Sequence, residues 1–192
     1  KSYSVLMSVY IKEKPEYLKR SIESILGQTI CTDDFVIVKD GPITEELNKL
    51  LEEYASKYDY IHIYGYENNH GLGYALNYGI NYCINELVAR MDSDDISLPD
   101  RCEKELNLFH ERPSLDIVGT DIYEFTEDEK CISGLKKMPV SQDEIKKYAR
   151  RRNPFNHPTV MYKKSSVIKY GGYHEGERGE DIALFTKMVF EG

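Results

Sequence analysis

From residue 3 to residue 112 the chain alternates short apolar runs with longer stretches whose apolar residues recur at helical spacing, and no other feature constrains the fold as much. Residues 3–9 (YSVLMSV) have the apolar character of a buried parallel strand, and residues 17–28 then set Leu18, Ile22, Ile25 and Leu26 along one helical face. Residues 35–38 read as a second strand, followed by a helix over 45–58 that carries Leu47, Leu50, Leu51, Tyr54 and Tyr58 on one side. Residues 61–66 alternate as a strand does. Asn68 to Gly71 is turn chemistry, and residues 74–84 read as a helix in which Ala75, Leu76, Gly79 and Ile80 allow close packing. A fourth strand over 87–91 and a helix over 100–111 complete the series. This order predicts an α/β domain with a mainly parallel sheet, right-handed crossovers and ligands at the carboxyl ends of the strands. Asp40 and Asp92 fall at two such ends.

Beyond residue 112 the rhythm changes. Residues 117–120, 122–125 and 132–135 are short strand candidates without long helices between them, so a smaller mixed or antiparallel part is expected there. The chain divides into residues 1–112, a nucleotide-binding half, and residues 113–192, an acceptor-side half that shares its core and stops just after a helical stretch, as a C-terminally truncated piece would.

Charge and composition exclude several classes. A net charge of −8 argues against a nucleic-acid partner, whose phosphates need Lys and Arg. The basic run at residues 146–152 (KKYARRR) follows Ser141 to Glu144 in helical register and reads as a solvated helix end, with a phosphate or membrane contact as the alternative. Cys31, Cys83, Cys102 and Cys131 form no Cys-x-x-Cys pair, which suggests reduced thiols in a cytoplasmic protein. No apolar run approaches the ~20 residues of a membrane span, and the strand pattern starts at once, without a signal peptide; peripheral contact with a membrane is compatible with both.

The acidic cluster at residues 91–95 (MDSDD) carries the strongest chemical signal. Asp92, Asp94 and Asp95 follow a buried strand closely enough to repel one another unless a hard cation such as Mg²⁺ or Mn²⁺ bridges them. The plainer reading is an acidic turn, with Asp95 or Ser97 capping the next helix. Asp40, Gly41 and Pro42 put another carboxylate and a tight turn at the same sheet edge, although such a triplet by itself is only a turn.

Taken in order, residues 4–10 (SVLMSVY), 23–29 (ESILGQT), 35–41 (FVIVKDG), 71–77 (GLGYALN), 91–95 (MDSDD), 98–101 (LPDR) and 179–181 (GED) resemble the inverting glycosyltransferases of family two, especially those that build bacterial capsular and exopolysaccharides. The resemblance implies a GT-A fold, a nucleotide-sugar donor that is commonly a UDP-sugar, and a divalent Mn²⁺ or Mg²⁺. It implies that Asp40 binds uracil, that Val9 and Tyr10 lie against the nucleotide, that Asp92 sits near the ribose and that Asp94 holds the metal against the diphosphate. His157 matches a histidine found near the donor phosphates or metal in some relatives, and Asp181 matches the catalytic base. Ile11 replaces a frequent asparagine, and Lys39 to Pro42 (KDGP) replaces a more frequent Asp-Asp-Gly-Ser. The chain has no tryptophan and none of the Gln-x-x-Arg-Trp motif of processive synthases, which disfavours polymerisation.

Inverting transfer is one in-line displacement, so it needs a single base on the acceptor side and charge stabilisation on the leaving diphosphate. Asp181 is expected as the base, with Glu180 orienting a glycan or lipid-linked glycan acceptor; the plain alternative is a pair of acids at a helix N-terminus. Residues 171–175 read as a flexible turn leading to that helix, with Glu175 a reserve candidate. The sixteen tyrosines could stack on sugars, yet scattered core tyrosines are commoner. Two other functions compete. A sugar-nucleotide nucleotidyltransferase would carry a Gly-rich phosphate loop after the first strand, where residues 9–12 (VYIK) have none. A non-catalytic glycan-binding domain would have shed carboxylates, whereas Asp40, Asp92, Asp94 and Asp181 are all present.

Overall fold

Two apolar faces on every central strand dictate the layering seen in the computed structural model, which describes residues 2–126, 129–174 and 179–192. In chain order the elements are β1 (Ser4–Val9), α1 (Pro15–Leu26), β2 (Asp34–Lys39), α2 (Glu45–Lys57), β3 (Ile61–Gly65), α3 (Leu72–Ile80), β4 (Leu87–Met91) and α4 (Arg101–Glu111). There follow β5 (Ile117–Val118), β6 (Ile122–Phe125), β7 (Ile132–Lys136), α5 (Gln142–Ala149), a 3-10 turn (His157–Thr159), β8 (Met161–Lys163), α6 (Lys164–Lys169) and α7 (Glu180–Glu191). Among the described residues six strands form one sheet in the order β3-β2-β1-β4-β8-β5, and β6 and β7 form a separate antiparallel pair.

β1, β2, β3 and β4 run parallel, so their carboxyl ends share one edge, while β8 runs antiparallel to both β4 and β5. The order reverses between β1 and β4, which opens the crevice where an α/β sheet takes its ligands. Val5, Met7, Val9, Phe35 and Ile37 face one core with residues of α1, α2 and α4; Leu6, Val36 and Val38 face the other with residues of α3, α6 and α7. A one-residue slip of β1 would exchange these sets, which pins its register. The break near residue 112 is one of rhythm. β5 and β8 extend the first sheet and contribute Val118, Met161 and Tyr162 to its two cores, while the β6–β7 pair is the part that stands apart.

The third helix differs from the expected 74–84 at both ends. Gly71, with φ 91°, lets α3 begin at Leu72. At the other end Asp34 accepts the backbone N–H of Ile84 (2.9 Å) and Ser4 Oγ accepts that of Asn85 (3.1 Å), which pulls the chain out of the helix after Ile80. Gly79 has no space for a side chain: a Cβ there would lie 2.5 Å from Leu6 and 2.6 Å from Val38. No helix among the described residues is long and apolar enough to cross a membrane.

Candidate active site

The acidic loop leaves β4 at Met91 and is stapled from below by α1. Ser21 Oγ donates to the Asp92 carbonyl (2.7 Å), Ser24 Oγ accepts from the Ser97 N–H (3.0 Å), and Gln28 donates to Ser97 Oγ (3.1 Å) and the Leu98 carbonyl (2.9 Å) while accepting from the Cys102 N–H (3.0 Å). Ser93 donates to the Glu13 carboxylate, which ties the loop to the end of β1. Asp92, Asp94 and Asp95 each offer an oxygen within 4.8 Å of the others. Burial first, then the neighbouring Asp92, pushes the Asp94 carboxyl up, and the same causes with Asp94 added bring Asp95 to about 6. Three hard oxygen donors this close together fit a divalent ion such as Mg²⁺ or Mn²⁺. Asp92 is also ion-paired with Arg90, a β4 side chain that is 1% exposed and whose Nε and Nη1 have no hydrogen-bond partner among the described residues.

Asp40 lies at the same edge but is buried, and its carboxylate is already engaged. Oδ1 accepts from Tyr66 Oη (2.9 Å) and the His70 N–H (2.8 Å); Oδ2 accepts from Asn69 Nδ2 (2.9 Å) and the Gly71 N–H (3.0 Å). These four donors occupy the usual acceptor positions of a carboxylate, so Asp40 closes the loop between β3 and α3. Gly41, with φ 77°, makes the turn against Asn69. The Val9 side chain is fully buried in the core and its carbonyl accepts the Asp40 N–H (2.8 Å). Tyr10, at 44% exposure, stands open at the crevice.

Asp181, in the first turn of α7, accepts from Asn153 Nδ2 (2.5 Å) through Oδ2 and from the Ile182 N–H (2.7 Å) through Oδ1. His157 is not among the metal-type carboxylates. Its Nδ1 lies 3.7 Å from Asp181 and 3.9 Å from Glu180, and its ring packs against Tyr173 and Phe185. Burial first, and then Arg90, holds this imidazole well below its ordinary pKa, which favours the neutral ring, and its Nε2 has no hydrogen-bond partner among the described residues. The 3-10 turn aims the ring inward, toward Asp181. Asn77 fixes the turn before α7, donating to the Tyr173 carbonyl (2.8 Å) and accepting from the Tyr173 N–H (2.7 Å). Glu175 lies outside the described residues.

Comparison with known proteins decides what this edge belongs to. The profile described as "Glycosyl transferase family 2" matches residues 4–171. The chain belongs to that family. This glycosyltransferase is 40% identical over 190 residues to the amylovoran biosynthesis glycosyltransferase AmsE of Erwinia amylovora, covering 99% of this chain and 70% of that protein. It is 38% identical over 192 residues to an Escherichia coli enzyme named UDP-Gal:alpha-D-GlcNAc-diphosphoundecaprenol beta-1,3-galactosyltransferase, covering 99% and 68%. Among solved structures, S. aureus TarS 1-349 in complex with UDP-GlcNAc superposes with a TM-score of 0.77 at 20% identity, over 99% of this chain and 53% of that one. The fold is therefore GT-A, and the chain spans about half the length of that structure.

Membership decides against the nucleotidyltransferase and the non-catalytic readings. It also gives a context to residues that sequence reasoning passed over. Ser21 and Ser24 on α1 and Gln28 just beyond its C-cap recur three and four apart beside the apolar Leu18, Ile22 and Ile25, a polar seam that was there to be read. Arg90 had no comparable signal, because a lone arginine in a strand is ordinarily a surface residue.

Proposed function

We propose that this glycosyltransferase moves a sugar from a UDP-sugar to a hydroxyl of a lipid-linked glycan in surface polysaccharide biosynthesis, with inversion and with the help of Mn²⁺ or Mg²⁺. The observation that carries the reading is the set of Asp92, Asp94 and Asp95 oxygens within 4.8 Å at the crevice edge, with Asp94 and Asp95 resisting ionisation in the bare protein. A cation held by Asp94 with Asp92 would supply positive charge to the leaving diphosphate. The names of the two curated relatives, one of amylovoran biosynthesis and one acting on a diphosphoundecaprenol-linked sugar, support a polysaccharide pathway and a lipid-borne acceptor. The complex of the TarS structure supports a UDP-sugar donor.

In this reading Asp181 takes the proton of the acceptor hydroxyl as the new bond to the anomeric carbon forms and the bond to the nucleoside diphosphate breaks on the opposite face. Asn153 orients Asp181 by its hydrogen bond, and neutral His157 lines the same corner without adding charge. Tyr10 stands where a base or ribose would pass. Asp40 shapes the uracil side by holding residues 66–71, and a direct bond from its carboxylate to the base requires one of its four present donors to leave. A lipid-borne acceptor brings the protein to the inner face of the plasma membrane from the cytoplasm. A thermal-shift screen of UDP, CDP and GDP with and without Mn²⁺ tests the donor, since a ligand of the folded state raises its melting temperature. The largest shift is expected for UDP with Mn²⁺; a larger shift with CDP or GDP would overturn the UDP assignment.

A further inference from the structure

A cleft of 690 Å³ lies away from the acidic cluster, between the segment that enters α5 and the end of that helix. Lys147, Arg150, Arg151 and Arg152 line it. Their single acidic companion, Glu144, is occupied in the capping box of α5, where it accepts from the Ser141 N–H (3.2 Å) and Oγ (2.8 Å). Among the described residues none of the four cations forms an ion pair. A helix end welcomes positive charge, but that effect fades within the last turn, and Lys146 and Lys147 already supply it there. Three arginines beyond the helix, in a chain of net charge −8, call for another explanation.

The remaining walls are apolar. Met138, Pro139 and Tyr148 line the cleft, and Val140 stands at its rim with 89% of its surface exposed. Cations beside an exposed apolar rim suit an amphiphile that joins phosphate to hydrocarbon. Position narrows the choice further. Arg152 directly precedes Asn153, about 3.8 Å away between α-carbons, and Asn153 donates to Asp181. α5 also packs against α7, whose first turn carries Asp181. The cleft thus adjoins the helix that carries Asp181.

We infer that this cleft is the subsite for the diphosphate of a glycosyl-diphospho-lipid acceptor, with the arginines gripping the phosphates and the 138–140 segment meeting the start of the lipid chain. The inference rests on the lipid-linked acceptor proposed above and adds the place where its charge is read. Arginine suits the task because its planar fork meets phosphate oxygens two at a time.

Calorimetry on the intact protein in EDTA, which keeps diphosphate off the acidic cluster, tests this with decyl diphosphate and uncharged decyl glucoside as probes. The diphosphate should bind at least about tenfold more tightly than the glucoside, and the triple variant R150Q/R151Q/R152Q should lose that factor, as expected for lost charge-assisted bonds. The charge-keeping variant R150K/R151K/R152K should retain part of it, since lysine keeps the charge but not the paired contacts, which separates loss of contact from loss of fold. Equal affinity for the two probes overturns the inference, as does undiminished diphosphate binding by the glutamine variant. If that variant instead loses binding to phosphatidylglycerol vesicles while keeping decyl diphosphate, the cleft reads a membrane surface and the inference fails. Affinity for UDP with Mn²⁺, measured on the same proteins, should be unchanged; its absence in the wild type would sink the donor assignment and leave the cleft result standing.

Discussion

The guanidinium of Arg90 and the carboxylate of Asp92 form an ion pair directly beneath the acidic loop, with the cation inside the core and the anion reaching the crevice. Two of the three guanidinium nitrogens of Arg90 lack a hydrogen-bond partner among the described residues, so the arginine bears a desolvation cost that the single pair does not offset. Its worth to the protein is the orientation and charge of Asp92.

Arg90→Met breaks the pair and leaves Asp92 facing Asp94 and Asp95 without its counter-charge, so it should lower the melting temperature, by less than the roughly 3–5 kcal/mol of a fully buried pair because Asp92 is partly exposed. Binding of UDP with Mn²⁺ should weaken at least about tenfold, the effect of losing roughly one well-placed charged contact. A melting curve and a titration on the same preparation check both. A large drop in stability with UDP affinity intact would show that the pair is structural only.

Asp94→Ala should remove most of the metal-dependent part of UDP binding, seen as titrations that no longer differ with and without EDTA. The wild type should lose Mn²⁺ affinity as pH falls through about 6, because protonated Asp95 withdraws an oxygen from the cation. Proton release on Mn²⁺ binding should accordingly be larger at pH 6 than at pH 8. Equal release at the two values would contradict the raised Asp95.

Asp40→Ala deprives Tyr66, Asn69 and the His70 and Gly71 amides of their acceptor, so it should destabilise the fold by roughly 1.5–3 kcal/mol, the range for hydrogen bonds to a charged group. Chemical denaturation measures it. If stability holds and only the preference for UDP over CDP narrows, Asp40 reads the base directly.

Asp181→Asn keeps the size of the side chain and removes its basicity. Acceptor-dependent transfer should fall by about 10²- to 10⁴-fold, the usual worth of a general base, with donor affinity nearly unchanged. Transfer close to normal would move the role to Glu180 or Glu175.

The sequence by itself determined the elements and most of the chemistry. Short apolar runs mark β1, β2 and β4, alternation marks β3, and the 3.6-residue period marks the helices α1 to α4, while the crowding of Asp92, Asp94 and Asp95 needs no partner to be seen. Only the tertiary structure decided what those residues touch. The four donors to Asp40 come from 26 to 31 residues away, three of them from a loop with no periodicity, and the α1 staples reach about 70 residues along the chain. His157 turned toward Asp181 rather than the metal-type carboxylates, and β8 entered the sheet antiparallel between β4 and β5. Contacts of this kind are made largely through backbone N–H and C=O groups, which every residue carries alike, so the folded chain alone can assign them.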